Sequence, residues 1–327
     1  MRKALPSWSH RGTKPFGSSS SSKIHAPSWA DTSSRKIHSS GRRLRRCESR
    51  YRAPGRCDDV PRQRYRADDV PGRMPRSLEG HVALVTGSTG EGMGRSTALT
   101  LAREGAVVVL NHGTNRTTGG ANNRRLARAI QDLGARSIVV RANTAKGSEV
   151  RHMFARANAE LGSVDILVNN AGGMWNPRED LAKVTDAYWQ DVLRAEIDGM
   201  FHTIRAALPD MRRKHWGRIV NIGMERSEEF TEPPYDYTVG KIARHGLTRI
   251  LSEGEIGRGI TINAIAPGYI PAFTFRQAVE AVRHGRPWGG RTHGTPQDVA
   301  EVAAFLCSDQ ARNVTGAVIP VHGAPDD

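Results

Sequence analysis

The residue pattern of positions 78–327 predicts an α/β fold built on a doubly wound, parallel sheet of about seven strands with helices on both faces. Three observations carry this. Short continuous runs of Val, Ile and Leu recur along the chain, helical patterns of ten or more residues separate them, and a glycine-rich turn directly follows the first run. Strands that are apolar on both faces and alternate with helices belong in a parallel sheet covered on both sides.

In order, VALVT (Val82–Thr86) reads as the first strand, followed by the glycine turn and a helix around Arg95–Arg103. AVVVLN (Ala106–Asn111) is the second strand, SIVVRA (Ser137–Ala142) the third and DILVNN (Asp165–Asn170) the fourth. RIVNI (Arg218–Ile222), ITINAI (Ile260–Ile265) and AVIPV (Ala317–Val321) complete the series. The helical stretches between them are Asn122–Asp132, Ser148–Leu161, Asp186–Lys214, Thr238–Glu253 and Pro296–Ser308. With right-handed crossovers this is a Rossmann-type arrangement.

The formal charge of the 327 residues is +15, and it is unevenly spread. Residues 1–77 hold 19 Lys and Arg against 6 Asp and Glu, whereas residues 78–327 hold 29 against 27. The basic character therefore belongs to an appendage, residues 1–73, and residues 74–327 form one near-neutral domain. The appendage has a serine run (Ser18–Ser22), the cluster RRLRR (Arg42–Arg46) and a crude repeat around Tyr51 and Tyr65. Its apolar residues are too few to offset the entropy of ordering, so disorder is the default. It reads as a nucleic-acid arm, as a transit peptide, or as sequence ahead of a true start at Met74; the last is favoured, because Met74 sits just before the first strand. Cys47 and Cys57 lie in the appendage and Cys307 alone in the domain, which excludes a disulfide framework or metal cluster. No apolar run is long enough to span a membrane, and a cytoplasmic location is the simplest expectation.

After the first strand comes TGSTGEGMGRS, Thr86–Ser96. Glycines between strand and helix let backbone N–H groups approach a pyrophosphate, and the helix N-terminus adds partial positive charge. A triphosphate loop of the GxxxxGK[ST] kind is disfavoured, since aligning on Gly87 and Gly92 puts Met93 where Lys is needed. A purely structural tight turn is the bland alternative. TGSTGEGMG, NNAG (Asn169–Gly172), YTVGK (Tyr237–Lys241) and IAPGYI (Ile265–Ile270) occur in that order, and in this the chain resembles the short-chain dehydrogenase/reductase family over essentially all of residues 78–327. The glycine loop is one residue longer than the family's TGxxxGxG pattern.

The resemblance implies a nicotinamide dinucleotide held by Gly87, Ser88, Gly92, Met93, Gly94 and Arg95, by Asn169, Ala171 and Gly172, and by Pro267, Gly268 and Ile270. The second strand ends in LNHGTNR (Leu110–Arg116), without the acid that would reject a 2′-phosphate. Arg116 and Arg95 are candidates to meet that phosphate, so NADP(H) is expected over NAD(H), although both Arg also read as solvated surface groups. Asn143 stands where the family often has Asp and offers its amide to the adenine.

Tyr237 and Lys241, at i and i+4, share one helix face. A phenol is a poor base near neutrality, and a nearby ammonium favours its phenolate. The family's chemistry has this Tyr exchange a proton with a substrate oxygen while a hydride moves to or from the nicotinamide, with the Lys also holding the nicotinamide ribose. Two positions depart from the pattern. The family Ser thirteen residues before the Tyr is Met224, whose thioether cannot donate a hydrogen bond. The family Asn of the long fourth helix is Glu196, expected either to take over a water contact, to pair with Lys241 and raise its pKa, or to be a solvated helix charge. Ser227, three residues past Met224 in a polar loop, is the candidate replacement donor.

Residues 269–295 correspond to the family's substrate lid; Tyr269, Phe273, Phe275 and Trp288, with Met174 and Trp175, suggest a partly apolar pocket for a small carbonyl or alcohol substrate. Arg276, Arg283, Arg286 and Arg291 are candidates to hold an acidic substrate group or are solvated. By resemblance the Asp186–Lys214 and Thr238–Glu253 helices make a homodimer or homotetramer interface. A catalytically weak dinucleotide-binding protein is the alternative reading.

Overall fold

The computed structural model describes residues 77–113, 119–176, 180–284 and 293–323. The appendage, Arg116, Arg286, Trp288 and Arg291 lie outside the described residues.

Seven parallel strands form one sheet in the order β3-β2-β1-β4-β5-β6-β7. They are β1 (Val82–Val85), β2 (Val107–His112), β3 (Ser137–Arg141), β4 (Ile166–Asn169), β5 (Gly217–Ile222), β6 (Ile260–Pro267) and β7 (Val318–Val321). Among the described residues eight α-helices connect them: α1 (Met93–Arg103), α2 (Gly119–Asp132), α3 (Gly147–Glu160), α4 (Asp186–Leu193), α5 (Gly199–Lys214), α6 (Tyr235–Glu255), α7 (Phe275–His284) and α8 (Pro296–Cys307). Every predicted strand and helix is present, with ends moved by a few residues. The fold is the doubly wound, Rossmann-type arrangement expected.

Alternate strand residues build two cores. Ala83, Val85, Val108, Leu110, Val168 and Val220 face α1, α2, α7 and α8. Leu84, Val109, Leu167, Ile219 and Ile262 face α3 and α5. Fully burying one such side chain stabilises by about 1.5–3 kcal/mol, so slipping one strand by a residue would exchange its two faces and disturb both layers.

Two features depart from the expectation. The Asp186–Lys214 stretch is not one regular helix: between α4 and α5, Arg194–Asp198 form a π-helical turn. Such wide turns cost regular hydrogen bonding and cluster at functional sites. Within the lid, Phe275–His284 is a helix, α7, whose Ala278, Ala281 and Val282 are buried against the α1 side of the core.

The chain crosses from β1 to β2 on one side and re-enters at β4 on the other, which opens a crevice at the carboxyl ends of β1 and β4. Thr86 ties that edge: its Oγ1 accepts from the N–H groups of Asn170 and Ala171 at 2.9 Å each.

Candidate active site

A cavity of about 1170 Å³ lies along the carboxyl ends of the strands, lined at one end by the glycine loop and β2 and at the other by Trp175, Phe230, Tyr237 and Tyr269. At the first end Gly87 turns with φ +62°, and its N–H donates to Asn111 Oδ1 at 3.1 Å. A Cβ on Gly94 would overlap the Asn170 amide, so only glycine lets α1 approach β4 this closely. Gly92 precedes α1 and offers no side-chain cap, leaving the helix's first N–H groups for an anion. The end of β2 presents Asn111, His112 and Gly113 to the cavity and no carboxylate. His112 accepts or donates at Thr89 Oγ1, 3.2 Å away; burial, then Arg141, push its pKa down. This bare, amide-rich cradle fits a dinucleotide.

Of the residues the sequence assigned to the cofactor, Gly87, Met93, Asn143, Ala171, Gly172, Pro267, Gly268 and Ile270 line the cavity. Ser88, Gly92, Gly94, Arg95 and Asn169 do not. Ser88 is buried with its hydroxyl on Asn111 O. Asn169 is buried between Thr203 and Asn221, its Oδ1 accepting from Thr203 at 2.6 Å. Arg95 is neither solvated nor aimed at the cavity: it is buried, with its guanidinium 5.3 Å from the centroid of the Phe275 ring.

The catalytic end is organised by α6. Positions i, i+4 and i+7 put Tyr237, Lys241 and Arg244 on one face, and the π turn opposite brings Glu196 to them. Glu196 is fully buried, its Oε2 at 3.1 Å from Lys241 Nζ and 2.7 Å from Arg244 Nε, its Oε1 accepting from Gly173 N–H at 2.7 Å. The reading of Glu196 as a solvated helix charge is therefore overturned, and its pairing with Lys241 is found. The expected rise in the Lys241 pKa is also corrected. Burial outweighs Glu196 and lowers it to about 8, with Arg244 acting in the same direction as burial. Lys241 Nζ also donates to Ile222 O at 3.4 Å and lies 4.8 Å from the Tyr237 ring centre. The phenol of Tyr237 is pushed up to about 12, by burial first and Glu196 second, with Arg244 pulling it down. The protein's own groups thus favour a neutral phenol, a proton donor.

Met224 lines the cavity beside Tyr237. Ser227 does not: Arg226, at φ +50°, turns the chain, and the Ser227 side chain is fully buried, 3.2 Å from His245 Nδ1 and donating to Glu228 Oε2 at 3.0 Å. As a stand-in carbonyl donor it is misplaced. Gly223, in the cavity wall before Met224, has no room for a side chain because the His245 ring occupies the space where a Cβ would stand. Trp175 stands edge-on to both Tyr237 and Phe230, with ring centroids 5.5 and 5.8 Å apart. Arg276 pairs with Glu280 at the surface and does not line the cavity.

Arg244 was not foreseen. A lone Arg on a helix ordinarily reads as solvated, and the available signal was its i+3 spacing from Lys241 on the catalytic face. The aromatic contact of Phe230 with Trp175, and the presence of Thr89 and His112 in the cavity, likewise had no motif to mark them.

A family model described as enoyl-(acyl carrier protein) reductase matches residues 87–323. The 3-oxoacyl-[acyl-carrier-protein] reductase of Pseudomonas aeruginosa is 35% identical over 251 residues, 76% of this chain and 98% of that protein. The protein of the same name from Escherichia coli K12 is 33% identical over 252 residues, again 76% and 98%.

The chain belongs to the short-chain dehydrogenase/reductase family.

A crystal structure of an Agrobacterium tumefaciens protein carrying the provisional name gluconate dehydrogenase aligns with TM-score 0.65 and 31% identity, covering 76% of this chain and 97% of that one. With family membership comes the class of chemistry, oxidoreduction between CH–OH and C=O groups with a nicotinamide cofactor. No helix among the described residues of this short-chain dehydrogenase is long and apolar enough to cross a membrane.

Proposed function

We propose that the protein is an NADP(H)-dependent reductase or dehydrogenase that acts on the carbonyl or secondary alcohol of a small, partly apolar substrate. The observation that carries this is Tyr237 on the cavity wall, in edge-on contact with Trp175 and backed by Lys241, at the end of the cavity opposite the glycine cradle. The nicotinamide cofactor supplies or accepts the hydride. Tyr237 Oη gives its proton to the substrate oxygen in reduction and takes it back in oxidation. Lys241, held by Glu196 and Ile222 O, keeps positive charge behind the phenol. Trp175, Phe230 and Tyr269 supply an apolar wall that orients the substrate. Because Met224 has no donor, polarising the carbonyl falls to the Tyr237 hydroxyl alone, and turnover is correspondingly slow.

NADP(H) rather than NAD(H) is supported by the absence of a carboxylate among Asn111, His112 and Gly113, and by Arg116 four residues after His112. Self-assembly through α5 and α6 is supported by the exposed apolar side chains of Phe201, Val239, Ile242 and Ile250.

The test follows NADPH absorbance in the presence of ketones and aldehydes of graded size. Wild type turns over and Tyr237→Phe falls by at least about 10³-fold, the loss expected for a proton-transfer group. Binding of NADPH with no turnover of any carbonyl would instead favour a dinucleotide-binding protein without catalysis, the reading that Met224 keeps open.

A further inference from the structure

We propose that Arg244 is a positioning residue for proton transfer: with Glu196 it forms a neutral buried pair, so that the cluster of Glu196, Lys241 and Arg244 keeps one net positive charge behind Tyr237. The proposal rests on the reading of Tyr237 and Lys241 as the proton-transfer pair.

The argument is a charge count tied to geometry. A Lys behind a phenol, next to an uncharged amide, presents one net positive charge. A carboxylate at position 196, with its Oε2 at 3.1 Å from Lys241 Nζ, cancels that charge and leaves the phenol unsupported. Arg244 brings it back. Its side chain is fully buried, its Nε stands 2.7 Å from the same Oε2, and the three groups together again carry one net positive charge. The guanidinium has no freedom to wander: it donates to Asn169 O at 3.0 Å, Ile222 O at 3.1 Å and Glu196 O at 3.1 Å, and also to Ala171 O. A planar fork with a hydrogen bond at each of its three nitrogens is a fixed charge, which a flexible ammonium would not be. Glu196 is equally fixed. Cβ atoms at Gly172 or Gly240 would collide with it, so those glycines are the space it occupies.

Among the described residues few groups face Lys241. Glu196 approaches from the π turn, Tyr237 and Arg244 lie on its own helix, and β5 offers only the Ile222 carbonyl. In the 223–232 loop Glu225 turns to His322, Glu228 to His245 and Glu229 to Arg226, while Glu232 lines the cavity and has no contact with Lys241 among the described residues. The charge state of Lys241 is thus set chiefly by burial, Glu196 and Arg244, with opposite signs for the last two.

The experiment titrates the lysine side-chain NMR signals of the full-length protein, with the Lys241 signal identified by its loss in Lys241→Met. Wild type is expected to titrate near pH 8 at this site. Glu196→Gln, which keeps an oxygen toward Arg244 and all four carbonyl bonds, should move the Lys241 titration down. Arg244→Met should move it up, and the double variant should fall between the two. A Lys241 titration unchanged in Glu196→Gln, or moved the same way by both single variants, overturns the proposal. If Arg244→Met does not fold, Arg244→Lys replaces it. That variant keeps charge while losing the fork, so the Lys241 titration should stay near wild type even where Tm drops; a displaced titration there would leave Arg244 a purely structural clamp. The pH profile of carbonyl reduction is a second readout, and its basic limb should follow the Lys241 shifts in each variant. Because the titration needs no substrate, a protein that binds NADPH without turnover would refute the proposed activity and still judge this one.

Discussion

Around Glu196 the carboxylate is met on both oxygens, Oε1 by a hydrogen bond from the Gly173 N–H and Oε2 by ion pairs with Lys241 and Arg244, with glycines at 172 and 240 giving it room. Around Met224, which lines the cavity, nothing has been rearranged: the nearest hydroxyl in sequence, Ser227, is turned inward to His245 and Glu228. The difference teaches what folding enforces and what it ignores. A carboxylate placed at a fully buried position must be paired or it destabilises the whole domain, so Arg244 and the glycines are a condition of folding. Exchanging a hydroxyl for a thioether leaves no protein group unsatisfied. Its cost falls only on the transition state, and stability alone never demands a repair.

Of the changes that bear on this comparison, restoring the donor is expected to have the largest effect. Met224→Ser should raise kcat on the best carbonyl substrate by about 10²-fold, the worth of one preorganised donor, measured by NADPH consumption with Tyr237→Phe as the silent control. No gain would mean that some other group already polarises the carbonyl. Next in size is the packing of the Glu196 berth. A Cβ on Gly240 would stand 2.6 Å from Glu196 Cβ, whereas one on Gly246 of the same helix meets nothing within 4 Å. Gly240→Ala should destabilise by about 1–3 kcal/mol, while Gly246→Ala should stabilise by up to about 1 kcal/mol through helix propensity. Thermal unfolding, at about 2–4 °C per kcal/mol for a domain of this size, reads both signs. The smallest effect belongs to Ser227→Ala. It should lower Tm by the equivalent of about 1 kcal/mol for lost buried hydrogen bonds and leave kcat unaltered; a fall in kcat at constant Tm would return Ser227 to the active site.

Most of the fold was legible because β-branched runs such as VVVL and ILVN have one stable setting, the middle of a covered parallel sheet. The catalytic Tyr and Lys were legible because their spacing is local. What escaped depends on contacts distant in sequence. Arg244 and Glu196 are 48 residues apart and become partners only when the π turn meets α6. The inward turn of Ser227 depends on the left-handed backbone of Arg226, which a non-glycine residue seldom advertises. The helix in the lid was legible in principle, since Ala278, Ala281 and Val282 recur at helical spacing and form its buried face. Arg95 read as a phosphate ligand by its place beside the glycine loop, and only the packed structure shows Phe275 lying under its guanidinium.

Gly223 carries a consequence for how the protein can change. With the imidazole of His245 filling the space behind it, position 223 admits no side chain, and the cavity wall there is bare main chain. Main-chain atoms cannot be exchanged by mutation. A small-molecule inhibitor whose hydrogen bonds reach that patch would hold its affinity against single substitutions at 223, and resistance there would require two coordinated changes, at 223 and at 245.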